Sequence, residues 1–156
     1  MKDAGGILPC LEDKEYATMA HVYDLPKEER ERFIATLAAR LEQRREVAFA
    51  YVYGSFVEGA PFRDLDLGIY LTGVGEDRMT EYAIDLALEL ERTAGFPVDV
   101  RVLNGAPLSF LCNVFRGEIV VSRDDDLRVR EVEDAVRHHL DTEPLVRRSL
   151  RELAEA

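Results

Sequence analysis

Between residues 64 and 71 the chain reads Asp-Leu-Asp-Leu-Gly-Ile-Tyr-Leu, and this strict alternation is its tightest constraint. Successive side chains of a strand point to opposite faces, so Leu65, Leu67, Ile69 and Leu71 share one face while Asp64, Asp66, Gly68 and Tyr70 share the other. A chain carrying such a strand must cover the leucine face and must accommodate a second face headed by two carboxylates. Upstream, Val47 to Tyr53 is an unbroken β-branched and aromatic run that stops at Gly54, which reads as a buried strand. Downstream, Val98, Val100 and Val102 alternate with Asp99 and Arg101, a third strand with one apolar and one polar face. Between the second and third strands Met79, Tyr82, Ala83, Leu86 and Leu90 form one stripe of a helix, capped by Asp77 and ended by Gly95 and Pro97. Its length suits a crossover, so these two strands are expected to run parallel in a right-handed βαβ unit.

The remaining segments complete one domain. Residues 1–23 mix Gly, Pro and charge without steady periodicity and read as an arm, with one helical turn near Lys14 to Ala20. The domain is expected over residues 24–156. Asp24 is placed as an N-cap and Pro26 in the first turn of a helix whose stripe is Phe33, Ile34, Leu37, Ala38 and Leu41, ending near Arg45. The stretch GSFVEGAPFR reads as a turn. A helix from Pro107 to Arg116 ends at Gly117, and Glu118 to Val121 is a short edge strand. From about residue 124 two helices close the chain. One runs from the DDD start through Val129, Val132, Val136 and Leu140; the other begins at Thr142 and Pro144 and carries Leu145, Leu150 and Leu153. The fold class is α+β, a mixed sheet with helices packed on one face and C-terminal helices added.

Charge and composition narrow the function. Thirty-one acidic residues against twenty Lys and Arg leave a net charge of −11, which repels a phosphate backbone and argues against general nucleic-acid binding. The longest strictly apolar run falls far short of the ~20 residues that span a bilayer, and no long apolar core stands at the N-terminus, so a soluble, cytoplasmic protein is expected. Cys10 and Cys112 are isolated, which fits reduced thiols rather than a disulfide framework or a zinc site.

In the parallel βαβ unit the starting ends of the two strands align, which brings Asp64 and Asp66 to the same rim as Asp99. If the preceding strand pairs antiparallel, Gly54 and Ser55 reach that rim too. Carboxylates are the preferred ligands of Mg²⁺, and two such ions about 4 Å apart can clamp an in-line phosphoryl displacement. Small residues at Gly54 and Ser55 let backbone N–H groups approach a triphosphate. At an effective dielectric near 20, two carboxylates about 5 Å apart repel by roughly 3 kcal/mol, so an acid cluster without a cation destabilises its own fold.

These residues, Gly54-Ser55, Gly59, Asp64-Leu65-Asp66 and Asp99, resemble the signature of the DNA polymerase β nucleotidyltransferase superfamily, with its minimal nucleotidyltransferase (MNT) branch the nearest match. The resemblance covers roughly Glu29 to Val121. It implies that Gly54 and Ser55 hold triphosphate, that Asp64 and Asp66 bind two Mg²⁺ ions, and that Asp99 binds one of them and helps deprotonate the acceptor. It further implies ATP as substrate, transfer of AMP to a hydroxyl of a HEPN-family toxin, and an antitoxin role. Two positions depart from the common pattern: Glu58 stands where an arginine often precedes the second glycine, and Arg63 stands where a serine often precedes the first aspartate. Glu58 removes a triphosphate contact, and Arg63 returns positive charge nearby. Two other functions compete, an antitoxin that neutralises by binding without catalysis and an enzyme that modifies a small hydroxylated molecule of the aminoglycoside type.

Other polar groups have plainer readings. Ser55 suits a helix N-cap as well as a phosphate contact, since both use the same exposed N–H groups. Arg101 shares a face with Asp99 and is read as pairing with an acid rather than steering ATP. Asp124 to Asp126 complement a helix dipole and lack calcium-loop spacing. His138 and His139 sit near a helix end or face solvent. Tyr51 and Tyr53 are packing residues; Tyr70 is either that or a platform beneath a base. Arg147, Arg148 and Arg151 lie beside Leu145 and Leu150, on the exterior of a core-facing helix or in a partner interface.

Overall fold

In the computed structural model, which describes residues 21–154, every residue of β1 (Val47–Tyr53) is buried. The strand has partners on both edges: β2 (Leu65–Leu71) and β4 (Glu118–Ser122), both antiparallel to it. β3 (Val98–Val102) adds parallel to β2, so the sheet order is β3-β2-β1-β4. A central strand with apolar side chains on both faces requires cover on both. On one face α1 (Lys27–Glu42) and α3 (Glu76–Ala94) press Leu37, Leu41, Leu86 and Leu90 against Leu65, Leu67 and Ile69. Each of these side chains contributes roughly 1.5–3 kcal/mol by leaving water. On the other face α4 (Leu108–Val114) and the first half of α5 (Asp125–Ala154) bring Leu111, Val114 and Ala135 onto Ala48, Phe49 and Tyr51.

The structure is therefore the α+β mixed sheet expected, with α1 and α3 on one face and the C-terminal helices on the other. Close approach of that second layer depends on Gly68, where a Cβ would lie 2.9 Å from the side chains of both Leu103 and Val114. The face of β2 that alternation marked as polar is thus open only at its Asp64–Asp66 end. Further along it, Tyr70 stacks on Phe49 with ring centroids 4.8 Å apart and donates its hydroxyl to Glu131 at 3.3 Å, so it packs under α5 and offers no platform for a base.

Several element boundaries differ from expectation, among them those of α4, which starts after Pro107 and stops at Val114 rather than Arg116, and of β4, which runs one residue further, to Ser122. Asp24 does not cap α1; Pro26 holds that position with its preset φ of −57°, and Asp24 instead pairs with Arg30 at 3.4 Å. α1 stops at Glu42 rather than near Arg45, because the Arg44 carbonyl accepts from Val47 N–H at 3.1 Å in the turn that feeds β1. The turn-rich stretch contains a short helix, α2 (Ser55–Glu58), between Gly54 and Gly59; Ser55 is its first residue and not its cap. Asp77 lies inside the first turn of α3, behind Gly75. The two closing helices are one, with Pro144 inside it. Proline removes the N–H that the residue-140 carbonyl would use, but Leu140 is 60% exposed, so water can satisfy that carbonyl and the helix continues. At the start of α5 the Asp124 carboxylate accepts from Leu127 N–H at 2.9 Å, a helix-start role as expected for the acidic run. The turn expected near Lys14 to Ala20, and Cys10, lie outside the described residues. No helix among the described residues is long and apolar enough to cross a membrane.

Candidate active site

Strand register assembles the site. Tyr53 of β1 pairs with Asp66 of β2, and Asp66 pairs with Asp99 of β3, so the three form one row across the sheet. Asp64 stands one residue before β2 begins. Immediately after Tyr53 the backbone turns at Gly54, whose φ is +74° and whose Cβ, if it had one, would lie 2.6 Å from Asp66 Oδ2. Two independent constraints therefore demand glycine, the left-handed conformation and the carboxylate against which the main chain passes. Ser55 follows, exposed, at the start of α2. Gly54, Ser55, Asp64, Asp66 and Asp99 consequently stand on one rim. Arg63 is exposed beside them and makes no ion pair among the described residues.

The electrostatics of the row follow from crowding. Burial, and then the neighbouring charges of Asp64 and Asp99, push the Asp66 carboxyl up to about 6. Burial first, then Asp66 and Asp99, raise the Tyr53 phenol far above its ordinary range, so its hydroxyl keeps its proton. Asp99 is partly relieved: its Oδ2 accepts from Arg101 Nε at 2.9 Å, with Arg101 reaching out into solvent at 61% exposure. Arg101 thus pairs with an acid, as its position on β3 suggested. The three carboxylates feel one another but do not close on a single point, and no group of three His, Cys, Asp or Glu among the described residues forms a ready-made metal cage. The donor set itself, hard carboxylate oxygens with mutual repulsion to relieve, is of the type that suits Mg²⁺.

Three neighbours of the rim escaped the sequence reading. Tyr53, taken as packing, does pack on Phe110, yet it also heads the acid row. A cavity of about 350 Å³ opens beside Gly54, between α2 and the turn after α4; Tyr53, Glu58, Asn113 and Arg116 line it. Arg116 is the basic residue there, and its distance in sequence from the turn gave no hint of it. Beneath α2 lies Arg30, the one charged side chain of the buried interior among the described residues. Its signal was present in the spacing, because residue 30 falls on the same α1 stripe as Phe33, Leu37 and Leu41.

The polymerase β nucleotidyltransferase model matches residues 35–126, more than half of the chain and the whole rim. This chain belongs to that family. Solved structures extend the likeness of fold to 78% of this chain. The MNT antitoxin in complex with tri-AMPylated Shewanella oneidensis HEPN toxin superposes with a TM-score of 0.56 at 14% identity, covering 78% of this chain and 98% of that one. The toxin–antitoxin pair MntA–HepT gives a TM-score of 0.55 at 14% identity over 77% and 98%. A toxin–antitoxin structure with AMP-PNP gives 0.54 at 14% identity over 80% and 99%. No curated protein matches the sequence. For this nucleotidyltransferase the sheet register sets a β1 turn and a β2–β3 acid row on one rim, inside the matched residues 35–126.

Proposed function

We propose that this nucleotidyltransferase transfers AMP from ATP to a hydroxyl of a HEPN-family toxin and serves as its antitoxin. The observation that carries the reading is the close approach of the Gly54 backbone to Asp66 in the Tyr53–Asp66–Asp99 row, which sets a glycine turn directly beside carboxylates. The toxin–antitoxin neighbours, one with an AMPylated toxin and one with AMP-PNP, support the choice of donor and partner. In this reading Gly54 and Ser55 hold the β- and γ-phosphates through backbone N–H groups, and exposed Arg63 adds positive charge. Asp64, Asp66 and Asp99 would hold two Mg²⁺ ions, which when bound neutralise charge on the phosphates and lower the pKa of the acceptor hydroxyl. The acceptor oxygen attacks the α-phosphorus, the bond to the β-phosphate oxygen breaks, and pyrophosphate leaves. Asp99 receives the hydroxyl proton.

A second reading, neutralisation by masking alone, is favoured by Glu58, an exposed negative charge at the end of α2 beside the phosphate turn. One experiment separates the two. The chain, the toxin and Mg²⁺ are incubated with ATP labelled at either the α- or the γ-phosphate. AMP transfer puts α-label and no γ-label on the toxin, and Asp66→Asn abolishes it. Retained γ-label indicates a kinase, and equal toxin neutralisation by Asp66→Asn with no label indicates masking.

A further inference from the structure

Arg30 donates to four carbonyls and lies under two rings while its side chain is only 7% exposed. Nε bonds the Leu25 carbonyl at 2.8 Å; the two terminal nitrogens reach Phe56 O at 2.8 Å, Ala60 O at 2.9 Å and, more weakly, Ser55 O at 3.5 Å. The guanidinium carbon sits 5.4 Å from the centre of the Phe56 ring and 5.2 Å from that of Phe62. Its carboxylate partner, Asp24, is 76% exposed and 3.4 Å away, so the buried charge is answered mainly by backbone dipoles and aromatic faces. A buried cation tied this way costs desolvation that an apolar residue on the same stripe would avoid. Three of its bonds end on the segment that starts at Ser55 and closes at Ala60, the others tying Leu25 and Asp24, and the residue before that segment is Gly54, whose main chain passes against Asp66.

We propose that Arg30 is the positioning residue of the nucleotide site. Through the carbonyls of Phe56 and Ala60 it fixes where α2 sits, and so it fixes the gap between the Gly54–Ser55 backbone and the Asp66 carboxylate. A planar fork with five donors can hold several carbonyls in one geometry; a lysine ammonium on a flexible stem holds them loosely, and methionine holds none. The function of the held turn rests on the nucleotidyl-transfer reading above, whereas its being held does not.

The test uses the full chain with Arg30→Lys and Arg30→Met, in two independent readouts. Amide hydrogen exchange, with no nucleotide present, reports the turn itself: peptides covering residues 55–60 are expected to exchange at least tenfold faster in Arg30→Lys, and faster still in Arg30→Met, while those covering β2 keep their wild-type rates. Unchanged exchange at 55–60 in folded Arg30→Lys overturns the proposal. Steady-state transfer to the toxin then reports the consequence: KM for ATP is expected to rise tenfold or more in Arg30→Lys, with kcat falling less, and the thermal shift produced by Mn²⁺ alone is expected to stay at its wild-type size. Wild-type KM in a variant with loosened exchange also overturns it. If the wild type transfers nothing, the functional reading fails while the exchange result still decides whether Arg30 holds the turn. Should Arg30→Met not fold, Arg30→Lys carries both readouts.

Discussion

At the residue scale Asp66 separates folding from chemistry. Its carboxyl titrates near 6 in the fold, above the ordinary carboxylate value, so the folded chain keeps a proton that the unfolded chain releases between about pH 4 and 6. Stability from this group therefore falls as pH rises through that window and stays low above it. Asp66→Asn is expected to melt at nearly the wild-type temperature at pH 4.5 and a few degrees higher at pH 8, with no AMP transfer at either; thermal unfolding at the two pH values checks this. An opposite trend, with the gain largest in acid, contradicts the crowding of the row. Gly54→Ala carries two penalties, a positive φ and a Cβ 2.6 Å from Asp66 Oδ2. It is expected to cost about 1–3 kcal/mol in urea unfolding and to lower the transfer rate at least tenfold. The acids and the glycine were legible because a strand converts spacing into facing, and two strands of known relative direction convert facing into a rim. Arg30 was harder, because a charge on an apolar stripe acquires meaning only from groups distant in sequence, here the carbonyls of Phe56 and Ala60.

Elements whose pattern repeats were read well, and elements that end or bend were not. Period-two alternation located β2 and β3, and a continuous apolar run located β1, because each pattern spans enough residues to exclude other readings. α2 is a single turn, too short to show any period. The continuity of α5 across Pro144 depends on solvent reaching a carbonyl, a property of the tertiary surroundings. Pro144→Ala is accordingly expected to slow amide exchange over residues 139–148 several-fold while moving the global melting temperature by less than about 2 °C, since that stretch is largely exposed. Gly117→Ala should behave in the opposite way. A Cβ there would lie 2.2 Å from the Val52 carbonyl, where β4 joins β1, and the expected loss is about 3 kcal/mol or more by urea unfolding.

For the molecule as a whole, the net charge of −11 sets long-range behaviour. Binding to random duplex DNA at physiological salt is expected to be weaker than micromolar in a fluorescence-anisotropy titration, and association with a basic partner is expected to slow as salt rises. Mg²⁺ with ATP, binding the folded rim and not the unfolded chain, should raise the melting temperature with ligand concentration, and Asp66→Asn should respond far less. The sheet order has a further bearing, on synthesis. Among the described strands β4 is made last and pairs with β1, made first, while the acid row and its glycine turn are all encoded before residue 103. On the ribosome three strands can therefore join while the far edge of β1 still presents unpaired N–H and C=O groups, on a strand whose side chains are apolar or aromatic along its whole length. A nascent chain that stalls before residue 118 would carry its complete set of carboxylates on β2 and β3 beside a β1 still seeking a neighbour, so its expected fate is aggregation or proteolysis rather than partial activity.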